Sequence, residues 1–71
     1  MHTTDAVHLR SGRGAHHRSR GVLPRSTDVY AECWGLQGDA WWAYVRVMSG
    51  GYKGRTGWVS GDYLATGYRH W

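Results

Sequence analysis

Apolar and polar residues alternate along most of this chain with the two-residue period of a β-strand. The clearest case is residues 41–47. Its two faces are Trp41, Ala43, Val45 and Val47 on one side and Trp42, Tyr44 and Arg46 on the other. Shorter segments predict further strands at residues 6–10, 21–23, 29–34, 56–60 and 64–66. Gly61–Tyr63 is typical of a tight turn, such as one turn of 3₁₀ helix.

Strands this short, separated by glycine-rich turns and without a helix of useful length, predict an all-β fold. The chain has eleven glycines and one proline in 71 residues, which suits closely spaced turns. A small barrel or sandwich is the expected architecture. We expect residues 6–66 to form one domain, residues 1–5 to be a frayed N-terminus and residues 67–71 to be a C-terminal tail.

The two faces of residues 41–47 predict which aromatic side chains are available to a ligand. Val45 and Val47 indicate that the face carrying Trp41 points into the core. Trp42 and Tyr44 are then partly exposed, together with Trp34 and Tyr30 on the preceding strand. Cys33 alternates with Val29 and Ala31 on the apolar face of that strand, so it is expected to be a small buried side chain.

Positive charge is concentrated near the N-terminus. The formal net charge is +4, and residues 1–26 hold five arginines against one acidic residue. A basic surface attracts anionic partners. The loop at residues 11–20 is rich in arginine and histidine, and guanidinium groups bind carboxylates or phosphates through paired hydrogen bonds. The candidate ligand-binding side chains of this loop are Arg13, His16, His17 and Arg18.

Other classes of function have little support in the residues. One cysteine allows no internal disulfide. The adjacent His16 and His17 point apart in an extended chain, so neither a metal site nor another cofactor is expected. No nucleophile has an evident base and orienting acid, so we expect no enzyme activity. No apolar run is long enough to span a membrane. The N-terminus lacks the pattern of a secretory signal, which leaves a cytoplasmic location or release by lysis or in a virion open.

Four segments of the chain follow one another in the order found in a known family. They are Leu9-Arg10-Ser11-Gly12-Arg13-Gly14, Gly21-Val22-Leu23-Pro24-Arg25, Trp42-Ala43-Tyr44-Val45-Arg46 and Thr56-Gly57-Trp58-Val59-Ser60-Gly61-Asp62-Tyr63-Leu64. Together they resemble the bacterial SH3 domain, and the tryptophan-rich segment after Cys33 is most similar to actinobacterial or phage versions. The family has proline where this chain has Arg13, and glycine where it has Ser26.

The resemblance implies a β-barrel of five to seven strands that binds bacterial cell-wall peptides and performs no catalysis. The expected ligand groove is aromatic, with Trp42, Tyr44, Trp34 and Tyr30, beside the arginine- and histidine-rich loop. A second hypothesis is a small structural or interaction protein that docks on a larger assembly, such as a phage particle, or associates with itself. A third is a nucleic-acid binder, since basic and aromatic residues together are its usual footprint. The oligomeric state stays open.

Overall fold

Nearly all of the alternating segments are strands in the computed structural model, which describes residues 1–14 and 17–67. The strands are β1 (His2–Thr3), β2 (Val7–Arg10), β3 (Ser19–Leu23), β4 (Val29–Gln37), β5 (Ala40–Val47), β6 (Thr56–Ser60) and β7 (Leu64–Ala65). One 3₁₀ turn, Gly61–Tyr63, joins β6 to β7. The predictions of an all-β fold and of a 3₁₀ turn at these residues are confirmed.

The strands form two antiparallel sheets. The larger has the order β3-β2-β6-β5-β4, and the smaller pairs β1 with β7, which brings the two ends of the described chain together. Strand β5 lies between β4 and β6, with Val45 opposite Ala31 on one side and Gly57 on the other. The β4–β5 hairpin turns at Gly38, whose φ of 61° is in the left-handed region that glycine adopts most readily.

One face of the larger sheet carries the core. The buried cluster is Val7, Leu9, Leu23, Val29, Ala43, Val45, Val47 and Val59. Leu23 and Val29 belong to the two edge strands of the sheet, so the sheet must curve until both edges contact the same core. Branched aliphatic side chains fill this small interior, while most of the aromatic residues lie around it.

A bulge in β4 changes which residues point inward. Ala31 pairs with Val45 and Cys33 pairs with Tyr44, so β4 contains one extra residue between these two pairs. Cys33 therefore lies on the outer face and is exposed, and the prediction of a buried thiol is wrong. The same shift separates Trp34 from the face of Tyr30, because Trp34 pairs with Ala43.

The burial of the two consecutive tryptophans of β5 is the reverse of the prediction. Trp41 is 55% exposed and Trp42 is 8% exposed. Trp41 is the second residue of β5 and shares the side of Ala43 and Val45, but it lies beyond the end of the core. Trp42 is on the outer face of the sheet, where the segment around β2 and the 3₁₀ turn cover it. The prediction for Val45 and Val47 is confirmed, since both are buried.

The N-terminus is not frayed as predicted. Thr3 is fully buried; its amide donates to the Thr27 carbonyl at 2.9 Å and its hydroxyl to the Pro24 carbonyl at 2.7 Å. The amide of Val29 donates to the Met1 carbonyl at 2.8 Å. Residues 1–3 are therefore part of the fold. Of the predicted tail, residues 68–71 lie outside the described residues.

In the described part of the chain, no helix is long and apolar enough to cross a membrane.

Candidate functional site

Two open clefts flank the 3₁₀ turn, and the first has Trp42 as its floor. This Trp42 cleft has a volume of about 350 Å³. It is lined by Ala6, Val7, His8, Arg10, Trp42, Ser60, Asp62 and Tyr63. Tyr63 is 43% exposed, so its ring offers a flat apolar surface to a ligand.

The guanidinium of Arg10 and the imidazole of His8 lie on the β2 side of the Trp42 cleft. The guanidinium of Arg10 donates to the His17 carbonyl at 3.1 Å, and His8 Nδ1 lies 2.8 Å from the Ser19 hydroxyl. These hydrogen bonds orient both side chains and leave further guanidinium N–H groups of Arg10 for a ligand. Asp62 lines the other side of the cleft. The arrangement suits a peptide that carries an anionic group near an apolar one.

The second cleft lies at the end of the core and has an acidic character. This Trp34–Trp41 cleft has a volume of about 550 Å³, and its lining includes two indoles and the carboxylates of Asp39 and Asp62. Gln37, Ala40 and Gly61 complete it. Asp62 lines both clefts, so they meet at the 3₁₀ turn.

A stack of side chains covers the outer face of the sheet. The rings of Tyr44 and Trp58 meet edge to face, with centroids 5.4 Å apart and planes at 61°. The guanidinium of Arg13 lies 5.5 Å from the Trp58 ring centroid, a cation–π distance. Gly35 admits the Arg13 side chain, because a Cβ at that position would clash with it. Arg13 therefore ties the loop that follows β2 to the sheet.

The structure separates most of the predicted ligand-binding residues from one another. Trp42 lines one cleft, Trp34 lines the other, and Tyr44 and Arg13 belong to the stack. Tyr30 is 54% exposed opposite Arg46, and it lines neither cleft.

The loop residues did not form the expected basic groove either. The ring of His17 packs over Gly12, and its carbonyl accepts the hydrogen bond from Arg10. Arg18 is exposed, and its carbonyl accepts from the Ser11 amide at 2.9 Å. Neither His17 nor Arg18 lines a cleft. His16 lies outside the described residues.

Several residues that line the clefts were missed from the sequence. They are His8, Arg10, Asp39, Trp41, Asp62 and Tyr63. Three signals were available. Trp41 comes two residues after the Gly38–Asp39 turn, which places it at the end of a hairpin. Asp62 and Tyr63 lie on the predicted 3₁₀ turn, and His8 and Arg10 lie on the outward face of the predicted strand at residues 6–10.

The two clefts combine aromatic rings with charged side chains. Among the described residues, no group of three histidine, cysteine, aspartate or glutamate side chains converges as metal ligands. Comparisons with protein-family models, with curated proteins and with solved structures found no match for this chain.

Proposed function

We propose that this chain is a non-catalytic binding module of the bacterial SH3 type, which recognises an extended peptide of the bacterial cell wall or an associated polymer. The observation that carries the proposal is the Trp42 cleft, with an aromatic floor, an exposed Tyr63 ring, the Arg10 guanidinium and the His8 imidazole. Extended peptides bind to small β-domains through flat aromatic contacts and a few hydrogen bonds.

Two features of the fold support the SH3-type barrel within this proposal. Both edge strands of the larger sheet contribute to one core, as closure of a sheet into a barrel requires. Ser26, which stands where the family pattern has glycine, adopts a φ of 65°. That is the left-handed conformation for which glycine is the usual residue.

Peptides of the cell wall match the chemistry of the Trp42 cleft. They carry free carboxylates, which Arg10 binds through charge-assisted hydrogen bonds, and small apolar side chains, which fit against Trp42 and Tyr63. The basic N-terminal third of the chain also attracts anionic wall polymers.

The test is co-sedimentation of the purified chain with insoluble peptidoglycan at low and at physiological salt. We expect retention at both salts, weakened at least about fivefold by Tyr63→Ser, the typical cost of losing an aromatic contact at the centre of an interface. Tyr30→Ser is the matched control, because Tyr30 is also exposed, at 54%, and lines neither cleft. No retention, or equal loss in both variants, would contradict the proposal.

A second candidate function is docking on another protein or on a second copy of the chain. It is favoured by the apolar side chains exposed at the end of the β4–β5 hairpin, where Leu36 is 50% exposed opposite Trp41. Exposed apolar patches often mark protein interfaces. Sedimentation velocity of the full chain would give a defined oligomer if self-association is the function, and a monomer mass would exclude it.

A further inference from the structure

We infer that the Trp34–Trp41 cleft binds a primary alkylammonium group, such as the side-chain amine of a diamino acid in a peptide seated in the adjoining Trp42 cleft. The identity of the peptide rests on the proposed function, but the cation site itself does not.

The two indoles are held apart and open to solvent. Trp34 is 45% exposed and Trp41 is 55% exposed, and they belong to neighbouring cross-strand pairs on the same side of the hairpin. In such a diagonal arrangement, long side chains reach one space between them. The π-face of an indole attracts cations more strongly than that of any other side chain.

Gly61 fixes the position of the Trp34 ring. A Cβ at Gly61 would lie 3.2 Å from Trp34 Cζ3 and 3.0 Å from the Trp41 carbonyl oxygen. The indole therefore packs directly on the backbone of the 3₁₀ turn, and this contact orients it toward the cleft. The site is built by the fold and does not depend on a flexible loop.

The charges around the cleft favour a cation. Asp39 and Asp62 line it, and among the described residues no lysine, arginine or histidine belongs to its lining. The local excess of negative charge contrasts with the net charge of +4 of a chain that has only five acidic residues. The other acidic side chains are used elsewhere, since Glu32 pairs with Arg46 at 3.6 Å and Asp5 accepts from the Ala6 amide. Asp28 is buried.

Asp62 lines both clefts, so one ligand can occupy the two clefts together. A peptide whose carboxylate reaches Arg10 in the Trp42 cleft would pass Asp62 and carry a neighbouring side chain into the Trp34–Trp41 cleft. The volume of about 550 Å³ accommodates a four-carbon stem ending in an ammonium group. The opposite charges at the two ends then fix the direction of the bound peptide.

The cation site is tested by NMR of the full chain, observing the indole N–H signals of its five tryptophans, each assigned by its loss in a Trp→Phe variant. The probe is Nα-acetyl-lysine amide, and Nα-acetyl-norleucine amide is its uncharged counterpart. We expect the lysine probe alone to shift the signals of Trp34 and Trp41 in a saturable manner. Equal shifts with norleucine, or shifts confined to other tryptophans, would overturn the inference.

Two variants separate a local charge effect from the net charge of the chain. Asp39→Asn keeps the turn and should weaken binding of the lysine probe about two- to fivefold, the range for an exposed ion pair. Glu32→Gln changes the net charge equally outside the cleft and should leave the affinity unchanged. Equal weakening by both variants would refute a local site.

Peptides distinguish this inference from the proposed function. Acetyl-Lys-D-Ala-D-Ala and acetyl-Nle-D-Ala-D-Ala differ only in the amine, so the ratio of their affinities reports the cation site. The effect of Tyr63→Ser on both peptides reports the Trp42 cleft. We expect the lysine peptide to bind about two- to fivefold more tightly, the value of one exposed cation–π contact. A ratio near one would overturn the cation site and leave the Trp42 cleft untouched.

Discussion

Gly57, the second residue of β6, is a position where a single added methyl group should destabilise the fold. A Cβ there would lie 2.7 Å from Leu9 Cγ, 2.9 Å from Leu9 Cδ1 and 3.0 Å from the Arg10 carbonyl oxygen. Leu9 is fully buried, so its branch point has no free space to move into. The Arg10 oxygen belongs to the backbone of β2. Both neighbours therefore resist the displacement that Gly57→Ala requires.

The expected magnitude combines two opposing effects. Overpacking a well-packed core costs about 1–3 kcal/mol. Replacement of glycine by alanine reduces the entropy of the unfolded chain, which raises the free energy of unfolding by about 0.4–1 kcal/mol. We therefore expect Gly57→Ala to lower the free energy of unfolding by about 1–2 kcal/mol, since the packing effect is the larger. In a domain of this size, that lowers Tm by about 5–15 °C.

The assay is thermal and urea unfolding of the full chain, followed by circular dichroism and by tryptophan fluorescence. Gly51→Ala is the matched control, because a Cβ at Gly51 meets nothing within 4 Å. It should leave stability unchanged or raise it slightly. A Tm of Gly57→Ala equal to or above that of Gly51→Ala would refute the packing argument.

A double-mutant cycle identifies the responsible contact. Leu9→Val removes part of the side chain that the new methyl group meets, so it should relieve some of the strain caused by Gly57→Ala. We expect the destabilisation of the double variant to fall short of the sum of the single effects by about 0.5 kcal/mol or more, as for residues in contact. Strict additivity would place the strain elsewhere, at the Arg10 carbonyl.

Two further predictions test features that the sequence did not indicate. Thr3→Val removes the hydroxyl that accepts from the Thr27 amide at 2.9 Å and leaves a buried N–H unpaired. It should therefore lower the free energy of unfolding, measured by chemical denaturation, by about 1–3 kcal/mol. Thr4→Val, at an exposed position, should have little effect, and equal effects of the two variants would argue against an ordered N-terminus. Cys33 is exposed, so it should react with a thiol reagent under native conditions at nearly the rate of the unfolded chain; reaction only after unfolding would contradict the bulge in β4.

The sequence alone was sufficient for the fold class and for the positions of most strands. Alternation identified β2, β5 and β6, because a half-buried strand must place every second residue in the core. It also identified Val45 and Val47 as buried, and the Gly61–Tyr63 turn followed from its small and polar residues. These features depend on neighbours along the chain, which the sequence shows directly.

The tertiary structure decided the binding surfaces. A prediction from alternation assumes that the strand is unbroken and that the core extends along its whole length. The first assumption fails in β4, and the second fails at the start of β5. The bulge after Ala31 turns Cys33 outward, and the end of the core leaves Trp41 in solvent.

Only folding brings together the parts of each cleft. Asp39 and Asp62 are separated along the chain by all of β5 and β6, yet they line the same cleft. The pairing of β1 with β7 likewise joins residues at opposite ends of the chain. Local alternation in the sequence predicts each strand. The clefts, however, form at the ends of strands. Which strand ends lie beside one another is set by the packing of the whole sheet.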